Sequence, residues 1–426
     1  MDISIREQAR KMKSKAPFMA AASIEERNKA LKMIADALRN DSERIFRANN
    51  VDMGEAMNGS VPSAVLKRLK FDEGKLKASI DGIEQLIGLD DPIGRITLHR
   101  QLDEDLVLTR LTCPIGVIGV IFEARPDAMI QIASLCIKSG NCAILKGGKE
   151  TRQTNKEIFG IIHKAVVGAG LPEECLYQAT SHSEIDELLD CYGDVDLIIP
   201  RGSNAFVRYI MDNTRIPVMG HADGICHIYV DKAADQDMAI NIIKDAKSQY
   251  TAACNAVETL LIHREIAHEF LPKLYHSLDE AGVTLKGDFA SRGIIPIEAV
   301  GEEGYIEYLS LTASVKVVDD VDAAIEHINR YGSHHTDSVI TSDDAVAARF
   351  MQLVDSAGVY RNCSTRFSDG FRYGFGAEVG ISTSKLHARG PVGLDGLMTY
   401  KYTLTGNGQI VGDYASGVKQ FRFKDL

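Results

Sequence analysis

The clearest structural signal in the sequence is an apolar run with a proline shortly after it: Val117-Ile118-Gly119-Val120-Ile121-Phe122, then Glu123-Ala124-Arg125-Pro126. A short continuous apolar run is typical of a strand buried on both faces, and proline is common at the first position of a helix. Similar runs follow at 143–145, 195–199, 216–219 and 225–230, with helical patterns between several of them. This alternation predicts a parallel sheet covered by helices on both faces.

Other patterns flank this series. Residues 2 to about 90 predict helices, with Ser23 and Glu26 spaced as a capping box, and residues 96–113 predict a hairpin. Strand patterns near 258–262, 314–318, 338–341 and 358–360 alternate with helices and predict a second α/β domain. Residues 399–405 predict a last strand, which a Gly-Asn-Gly turn follows.

Composition excludes several classes of protein. The 426 residues are 45% hydrophobic and 25% charged, with a net charge of -11, which argues against a nucleic-acid or membrane-surface partner. Eight cysteines without a C-x-x-C pair favour reduced thiols over disulfides or a zinc site. The N-terminus is charged from its second residue, and no apolar run reaches about 18 residues. We therefore expect a soluble cytoplasmic protein without a metal.

Three loops after strands of the first sheet carry charge, and the carboxyl ends of parallel strands are where ligands bind. The first loop places an arginine beside a helix that begins with proline, which is a natural anion site. The others combine glycines, which permit close backbone approach, with lysine, arginine and a serine positioned to cap a helix. The loops contain Arg125; Lys146, Gly147, Gly148 and Lys149; and Arg201, Gly202 and Ser203. Taken alone, each loop is equally well explained as a solvated turn or a surface ion pair.

Cys254 lies among small residues directly before an apolar run. Small neighbours allow a ligand close approach, and a thiolate at a loop edge is favoured by nearby N–H dipoles. A nucleophilic cysteine is one interpretation of this pattern. The other is a buried, inert cysteine, because free cysteine is among the most buried residue types.

Five longer stretches resemble the aldehyde dehydrogenase superfamily, and within it the enzymes that reduce γ-glutamyl phosphate with NADPH in proline biosynthesis. They are residues 114–126, 220–227, 254–261, 324–337 and 386–394. The resemblance implies an aldehyde dehydrogenase-like α/β fold with two parallel-sheet domains, a Rossmann-like cofactor domain and a catalytic domain, plus a small β extension for oligomerisation. The fingerprint G-x-G-x-x-G is absent, so an ordinary Rossmann glycine loop is not the mode of cofactor binding.

The resemblance also implies roles for individual residues. Cys254 is the expected nucleophile, with Arg125 and Asn255 as further catalytic candidates. NADPH is expected at the two glycine loops, through Lys146, Gly147, Gly148, Lys149, Arg201, Gly202 and Ser203. His221, His387 and Arg389 are candidates for gripping the charged ends of an acyl-phosphate substrate. The pair His334-His335 lacks a cysteine or acidic residue at metal-ligand spacing, which favours hydrogen bonding to substrate or backbone.

The implied domain organisation is a cofactor domain at residues 1–96 and 114–230 and a catalytic domain at 231–362. Residues 97–113 and 391–426 form the extension, and 363–390 return to the cofactor domain. Relatives pair subunits through such an extension, which implies a homodimer or homotetramer. A transient contact with glutamate 5-kinase is a further possible partnership.

Two rival functions remain open. A hydrolytic aldehyde dehydrogenase would need a glutamate base about 34 residues before the cysteine, where Gly220 stands. A non-catalytic oligomeric scaffold would keep the fold with an inert Cys254. Cofactor binding and thiol alkylation discriminate the scaffold from an enzyme.

Overall fold

The computed structural model describes residues 4–59, 63–180, 183–221, 223–301, 304–375 and 378–426. These residues form two compact units, which are described separately. Unit 1 comprises the described residues within Met1–Met219, Phe375–Gly380 and Val392–Leu426, and unit 2 those within Gly220–Gly374 and Ile381–Pro391. The domain boundaries inferred from the sequence stay predictions.

The helices are α1 Ile5–Ala21, α2 Ile24–Asn40, α3 Ser42–Asn58, α4 Ser63–Leu69, α5 Glu73–Gly88, α6 Pro126–Lys138, α7 Arg152–Ala169, α8 Ser183–Leu189, α9 Asn204–Asp212, α10 Gln236–Ser248, α11 Arg264–Glu280, α12 Phe289–Arg292, α13 Val321–Tyr331, α14 Asp344–Leu353 and α15 Val411–Ala415. The strands are β1 Ile96–Asp103, β2 Leu106–Pro114, β3 Val117–Phe122, β4 Cys142–Gly147, β5 Leu176–Ala179, β6 Leu197–Arg201, β7 Cys226–Val230, β8 Val257–His263, β9 Thr284–Gly287, β10 Glu298–Ala299, β11 Thr312–Val318, β12 Thr336–Ile340, β13 Gly358–Arg361, β14 Gly380–Ser382, β15 Gly390–Val392, β16 Met398–Thr405 and β17 Lys424–Asp425. Among the described residues, no helix combines the length and apolar character that crossing a membrane requires.

The beginning of unit 1 is helical, as predicted. The Ser23 hydroxyl accepts a hydrogen bond from Glu26 N, and the Glu26 carboxylate accepts one from Ser23 N at 2.8 Å, which confirms the capping box. The buried Arg27 donates to both carboxylate oxygens of Asp91, at 2.8 Å each. Both bonds come from one guanidinium nitrogen, and this ion pair ties α2 to the segment that leads into β1.

The parallel sheet of unit 1 has the order β5-β4-β3-β6. All six residues of β3 are buried, as the apolar run predicts. Helix α6 begins at Pro126, where the missing N–H costs no hydrogen bond because the first turn of a helix has no acceptor for it. The carboxyl ends of β3, β4 and β6 lie at one edge of this sheet, so the three charged loops follow neighbouring strands.

A separate antiparallel sheet in unit 1 has the order β16-β2-β1-β17. Strands β1 and β2 form the predicted hairpin, with Asp105 in its turn at a φ of 59°. Strand β16 pairs with β2 from Met398 to Thr405, which confirms the predicted last strand. The pairing of subunits through this sheet stays a prediction.

Unit 2 contains a seven-stranded sheet of order β10-β9-β11-β8-β7-β12-β13, with every neighbouring pair parallel. Strands β7, β8 and β12 are buried along their whole lengths. Apolar side chains of β8, α10 and α11 pack into one core, among them Leu260, Ile243 and Phe270. The three central strands thus provide a rigid frame for the residues that precede them.

The structure corrects three details of the sequence interpretation. The strand predicted at 225–230 belongs to unit 2, because β7 pairs with β8 and β12; an apolar strand suits either sheet, and chain order does not specify its partners. The strand predicted at 216–219 is reduced to a single bridge between Ile198 and Val218. Strand β5 and helix α8 were missing from the prediction because both are short; helix α10 was also missing, although its buried Ala239, Ile243 and Ala246 keep helical spacing.

Candidate active site

Cys254 lies in a tight turn between α10 and β8 and is partly exposed. The next residue, Asn255, anchors this turn: its Nδ2 donates to Ser368 O at 2.8 Å, and its carbonyl accepts from Thr365 Oγ1 at 2.7 Å. Its Oδ1 is buried and has no hydrogen-bond partner. One side-chain N–H of Asn255 is therefore used in a hydrogen bond that holds the turn.

Gly224 packs directly against the backbone of Cys254. A β-carbon at position 224 would lie 2.2 Å from Cys254 O and 2.5 Å from its Cα, far inside van der Waals contact. Only glycine allows the segment before β7 to approach the cysteine this closely. Gly224 was not among the residues predicted for the site, although its place in a small-residue stretch near His221 was a usable signal.

Two histidines flank the sulfur. Nε2 of His335 lies 3.1 Å from Cys254 Sγ, and a nitrogen of His221, Sγ and a nitrogen of His335 all lie within 4.8 Å of one another. The two rings meet edge to face, with centroids 5.0 Å apart. We call His221, Cys254 and His335 the reactive cluster.

Each ring of the reactive cluster is oriented by a second contact. Nδ1 of His221 donates to Ile381 O at 2.9 Å, which leaves Nε2 for the sulfur. Nδ1 of His335 lies 2.9 Å from Thr336 Oγ1. Both imidazoles are held by their far nitrogen, an arrangement that fixes ring direction.

The reactive cluster stands at the amino ends of three neighbouring parallel strands. His335 directly precedes β12, Cys254 is three residues before β8, and His221 is five residues before β7; the sheet order is β8-β7-β12. The sequence predicts ligand-binding loops at the carboxyl ends of the first sheet, and it places Cys254 directly before an apolar run. In unit 2 the amino ends of the strands bring Cys254 together with His221 and His335.

The electrostatics of the reactive cluster favour a thiolate. Burial by itself raises the pKa of Cys254, but the charges of His221 and His335 and their hydrogen bonds to the sulfur hold it well below the usual range. Burial by itself lowers the pKa of His221, yet the Cys254 thiolate, with the Ile381 carbonyl, raises it to about 9. A thiolate beside an imidazolium is the form of cysteine that attacks carbonyl carbon.

The other seven cysteines have the opposite character. Burial raises the pKa of every one of them, to about 12 for Cys136 and Cys142 and about 11 for Cys191. The same direction holds for Cys113, Cys175, Cys226 and Cys363. Cys254 is therefore the one thiol of the eight whose surroundings favour nucleophilic attack.

His335 shows what the sequence analysis missed. The sequence near His334-His335 has no cysteine at metal-ligand spacing, but Cys254, 81 positions away in the sequence, is adjacent to His335 in space. Nδ1 of His334 contacts the backbone carbonyl of Asp355 at 2.6 Å, in line with the backbone bonding expected for the pair. In the structure His335 directly precedes β12, whose Thr336 and Asp337 are fully buried, and no local pattern in the sequence indicates that burial.

Two further substrate-binding candidates, His387 and Arg389, also belong to unit 2. His387 is exposed. Arg389 forms an ion pair with Asp355 at 3.0 Å, and Lys385 pairs with the same carboxylate at 2.6 Å. The guanidinium of Arg389 is thus already matched by one carboxylate, and its role toward a substrate stays a prediction.

Unit 1 carries the glycine loop predicted after β4. Lys146 Nζ donates to Gly147 O at 2.7 Å, and burial lowers the pKa of its ammonium group. A β-carbon at Gly147 would lie 2.0 Å from Asn155 Nδ2, and the buried Asn155 Oδ1 has no hydrogen-bond partner. Gly148 leads into Lys149, which is exposed.

The loop after β6 differs from its expected role in one respect. Ser203 occupies the position before α9, but its hydroxyl makes no capping bond, and its N–H donates to Glu123 at 3.0 Å. The Glu123 carboxylate also lies 2.6 Å from where a β-carbon of Gly202 would be. Arg201 lies 4.0 Å from Glu378. The Glu123 carboxylate thus occupies the position at the start of α9 where the sequence predicts a cofactor-binding loop.

Arg125 occupies the position before α6, in the loop that follows β3. Ala124 beside it has a φ of 49°, and its N–H donates to Glu150 at 2.6 Å. Since β3, β4 and β6 are parallel neighbours, Arg125, Lys149 and Arg201 follow strand ends at one sheet edge. This set of cations, with glycines that admit close backbone approach, fits the phosphates of a dinucleotide.

Comparison with known proteins identifies the family of this chain. The model of the aldehyde dehydrogenase family matches residues 3–288. The γ-glutamyl phosphate reductase of Pelotomaculum thermopropionicum is 55% identical over 425 residues, covering 100% of this chain and 98% of that protein. The one from Acetivibrio thermocellus is 56% identical over 425 residues, covering 100% and 99%.

A solved structure gives the same result for the fold. The crystal structure of γ-glutamyl phosphate reductase from Thermotoga maritima matches with a TM-score of 0.92 and 38% identity, covering 95% of this chain and 99% of that one. These findings confirm the resemblance and the aldehyde dehydrogenase-like fold inferred from the sequence. The chain belongs to the aldehyde dehydrogenase family, and within it to the γ-glutamyl phosphate reductases.

Proposed function

We propose that this enzyme reduces L-glutamyl 5-phosphate to L-glutamate 5-semialdehyde, with NADPH as reductant and release of inorganic phosphate, as the second step of proline biosynthesis from glutamate. The enzyme is an oxidoreductase of a family that uses nicotinamide cofactors. The observation that carries the proposal is the Cys254 thiol between two imidazoles, in a chain whose full-length relatives are named for this reaction.

The first chemical step forms a thioester. Cys254 Sγ attacks the acyl carbon of the substrate, the new C–S bond forms, and the C–O bond to phosphate breaks so that phosphate departs with the electron pair. Because the thiolate is already stabilised by His221 and His335, no separate base is needed to generate it. The backbone N–H of Cys254 is one candidate donor for the developing oxyanion, and Arg125 is a candidate for oxyanion or phosphate.

The second step reduces that thioester. The hydride for the thioester carbonyl would come from NADPH held by the loops of unit 1. The C–S bond then breaks, the aldehyde leaves, and the electron pair returns to Cys254 Sγ. His221 and His335 assist by stabilising the thiolate as a leaving group, which is the same interaction that prepared it as a nucleophile.

The dinucleotide would be held by the loops of unit 1. Cations and close backbone approach are provided at the end of β4 and just beyond it by Lys146, Gly147, Gly148 and Lys149, and at the end of β6 and just beyond it by Arg201, Gly202 and Ser203. The exposed Lys149 suits a 2′-phosphate, which supports NADPH over NADH. Ser203 N–H can serve a phosphate only after Glu123 releases it.

Neither rival function gains support. Hydrolysis of the thioester would need a base to activate water, and Gly220 stands at the position expected for it. An inert scaffold would have no need for a cysteine whose pKa is lowered while those of seven others are raised. Cytoplasmic location, a homodimer or homotetramer and a contact with glutamate 5-kinase belong to the same proposal.

A coupled assay tests the reaction. Glutamate, ATP and glutamate 5-kinase generate the labile acyl phosphate in place, and absorbance at the reduced-nicotinamide band follows NADPH consumption. We expect consumption that requires kinase, ATP and enzyme together, with semialdehyde as product. NADPH consumption without the kinase, or none with it while the enzyme binds NADPH, would overturn the assignment.

A further inference from the structure

The reactive cluster also has the composition of a metal site. Zinc in proteins is bound by cysteine sulfur at about 2.3 Å and histidine nitrogen at about 2.0–2.1 Å in tetrahedral geometry, which places neighbouring ligand atoms roughly 3.3–3.6 Å apart. Nε2 of His335 and Sγ of Cys254 are already 3.1 Å apart, and all three donor atoms lie within 4.8 Å of one another. The measured distance between Nε2 and Sγ is therefore close to the separation that a shared zinc ion requires.

The contacts behind the two rings match those of metal-binding histidines. A ligating histidine usually gives its other ring N–H to a carbonyl, carboxylate or similar acceptor, which fixes the tautomer and the direction of the lone pair. Nδ1 of His221 donates to Ile381 O at 2.9 Å, and Nδ1 of His335 lies 2.9 Å from Thr336 Oγ1. In both rings Nε2 is therefore the nitrogen that faces the sulfur.

The donor set selects the class of ion. Two imidazoles with one thiolate suit borderline or soft divalent cations such as Zn²⁺, with Cd²⁺ and Co²⁺ as spectroscopic substitutes, and do not suit Mg²⁺ or Ca²⁺. Three protein ligands leave a fourth position for water. Within the described ranges, no second group of three or more such side chains has this spacing.

We propose that the reactive cluster binds one Zn²⁺ per chain from solution, reversibly, and that the bound ion silences the enzyme. Coordination occupies the lone pair of Cys254 Sγ that would attack the acyl carbon, and the ligands enter as thiolate and neutral imidazoles, so binding releases protons to solvent. The ion is an inhibitor here, and no step of the reaction uses it. The silencing rests on the proposed function, whereas the binding does not.

Binding is tested without turnover. Chelator-treated enzyme in phosphate-free buffer is titrated with Cd²⁺, and the ultraviolet thiolate-to-metal charge-transfer band is recorded together with calorimetric titration of Zn²⁺. We expect one ion per chain, with the band absent in Cys254→Ser and Zn²⁺ affinity at least about 100-fold lower in His335→Gln, because even outer-shell changes cost 10–100-fold. Cys363→Ser, which removes a thiol outside the cluster, serves as the control and should bind as the parent does.

The outcomes separate the two proposals. A charge-transfer band that survives Cys254→Ser, or equal Zn²⁺ affinity in parent and His335→Gln when circular dichroism shows both folded, overturns the metal site. A cluster-dependent band in an enzyme that fails the coupled assay upholds the metal site and overturns the proposed reaction. In an active enzyme, we expect Zn²⁺ to stop NADPH consumption at the stoichiometry of the band and a chelator to restore it; activity that persists with the ion bound overturns the silencing.

Discussion

Nε2 of His335 lies 3.1 Å from Sγ of Cys254, although 81 positions separate the two residues in the sequence. The contact exists because β12 and β8 are both neighbours of β7, and each residue stands just before its strand. The reactivity of the thiol is therefore a property of the assembled sheet of unit 2. Isolated from that sheet, the segment around Cys254 would carry an ordinary thiol.

Replacing Cys254 with serine should abolish turnover while the fold and cofactor binding remain. A hydroxyl has no accessible anion near neutral pH, so we expect a loss of at least about a thousandfold in kcat. The coupled NADPH assay measures it, with Cys363→Ser as the control that should keep its activity. Retention of a tenth of the parent rate would remove Cys254 from the chemistry.

Titration of His221 should depend on Cys254. With the thiolate present, the pKa of His221 is raised to about 9, so its ring stays protonated through neutral pH and loses the proton only above that value. In Cys254→Ala the attraction of the thiolate is gone while burial, which lowers the pKa, remains; we expect the pKa of His221 to fall well below about 9. The NMR chemical shifts of the His221 ring, followed against pH, measure its pKa in the parent and in the variant. An unchanged titration in the variant would contradict the ion pair between His221 and Cys254.

Enlarging Gly224 should disturb the nucleophile. A β-carbon there would press on Cys254 O and Cα, so the turn must move, and displacement by about 1 Å can cost about 100-fold in rate. We expect Gly224→Ala to lower kcat and slow alkylation of Cys254. Gly160→Ala is the matched control, since its β-carbon meets nothing within 4 Å and alanine favours the helix. Parent-like kinetics in Gly224→Ala would show that the turn tolerates the methyl group.

Oxidation of glutamate semialdehyde in the reverse direction should require phosphate. With glycine at position 220, no carboxylate stands there to activate water, so the Cys254 thioester persists until phosphate attacks it. Without phosphate we expect at most one equivalent of NADPH per active site, seen as a burst. Steady turnover in phosphate-free buffer would point to hydrolysis and to an unrecognised base, with His221 or Asp223 the first to test.

Arg125 is the first candidate for holding that phosphate, because a guanidinium fork matches its oxygens and the start of α6 lies beside it. Arg125→Ala should raise the phosphate concentration needed for half-maximal rate more than it changes NADP affinity. The exposed Arg215, in the same unit, provides the control Arg215→Ala. Equal phosphate dependence in the two variants would assign Arg125 a structural role.

The preference for NADPH over NADH should depend on the charge of Lys149. A cation there suits the 2′-phosphate of NADPH, and we expect Lys149→Glu to weaken NADPH binding by about 1–3 kcal/mol and to move preference toward NADH. Lys164→Glu makes the same charge change at an exposed position near the other end of α7. Fluorescence titration measures the dissociation constants of NADPH and NADH for both variants. Identical constants in the two variants would place Lys149 outside the cofactor site.

Features that depend on residues close together in the sequence could be predicted, and features that depend on residues far apart could not. The apolar run of β3, the start of α6 at Pro126 and the Ser23 capping box depend on residues a few positions apart, and periodicity predicts them. Two other features depend on partners far along the chain, which no local pattern indicates. They are the pairing of β7 with the strands of unit 2 and the contact between His335 and Cys254. Glu123 binding Ser203 N–H is of the same kind, since 80 positions separate them.

The order β8-β7-β12 also makes the Cys254 thiol a reporter of refolding. A slip of β12 by one residue against β7 would move its start by about 3.3 Å and turn alternate side chains to the opposite face, taking His335 away from the sulfur. A fast-reacting thiol therefore emerges during renaturation only when these three strands have reached native register. Pulsed alkylation at successive times after dilution from denaturant would read out the completion of that pairing in a single covalent mark.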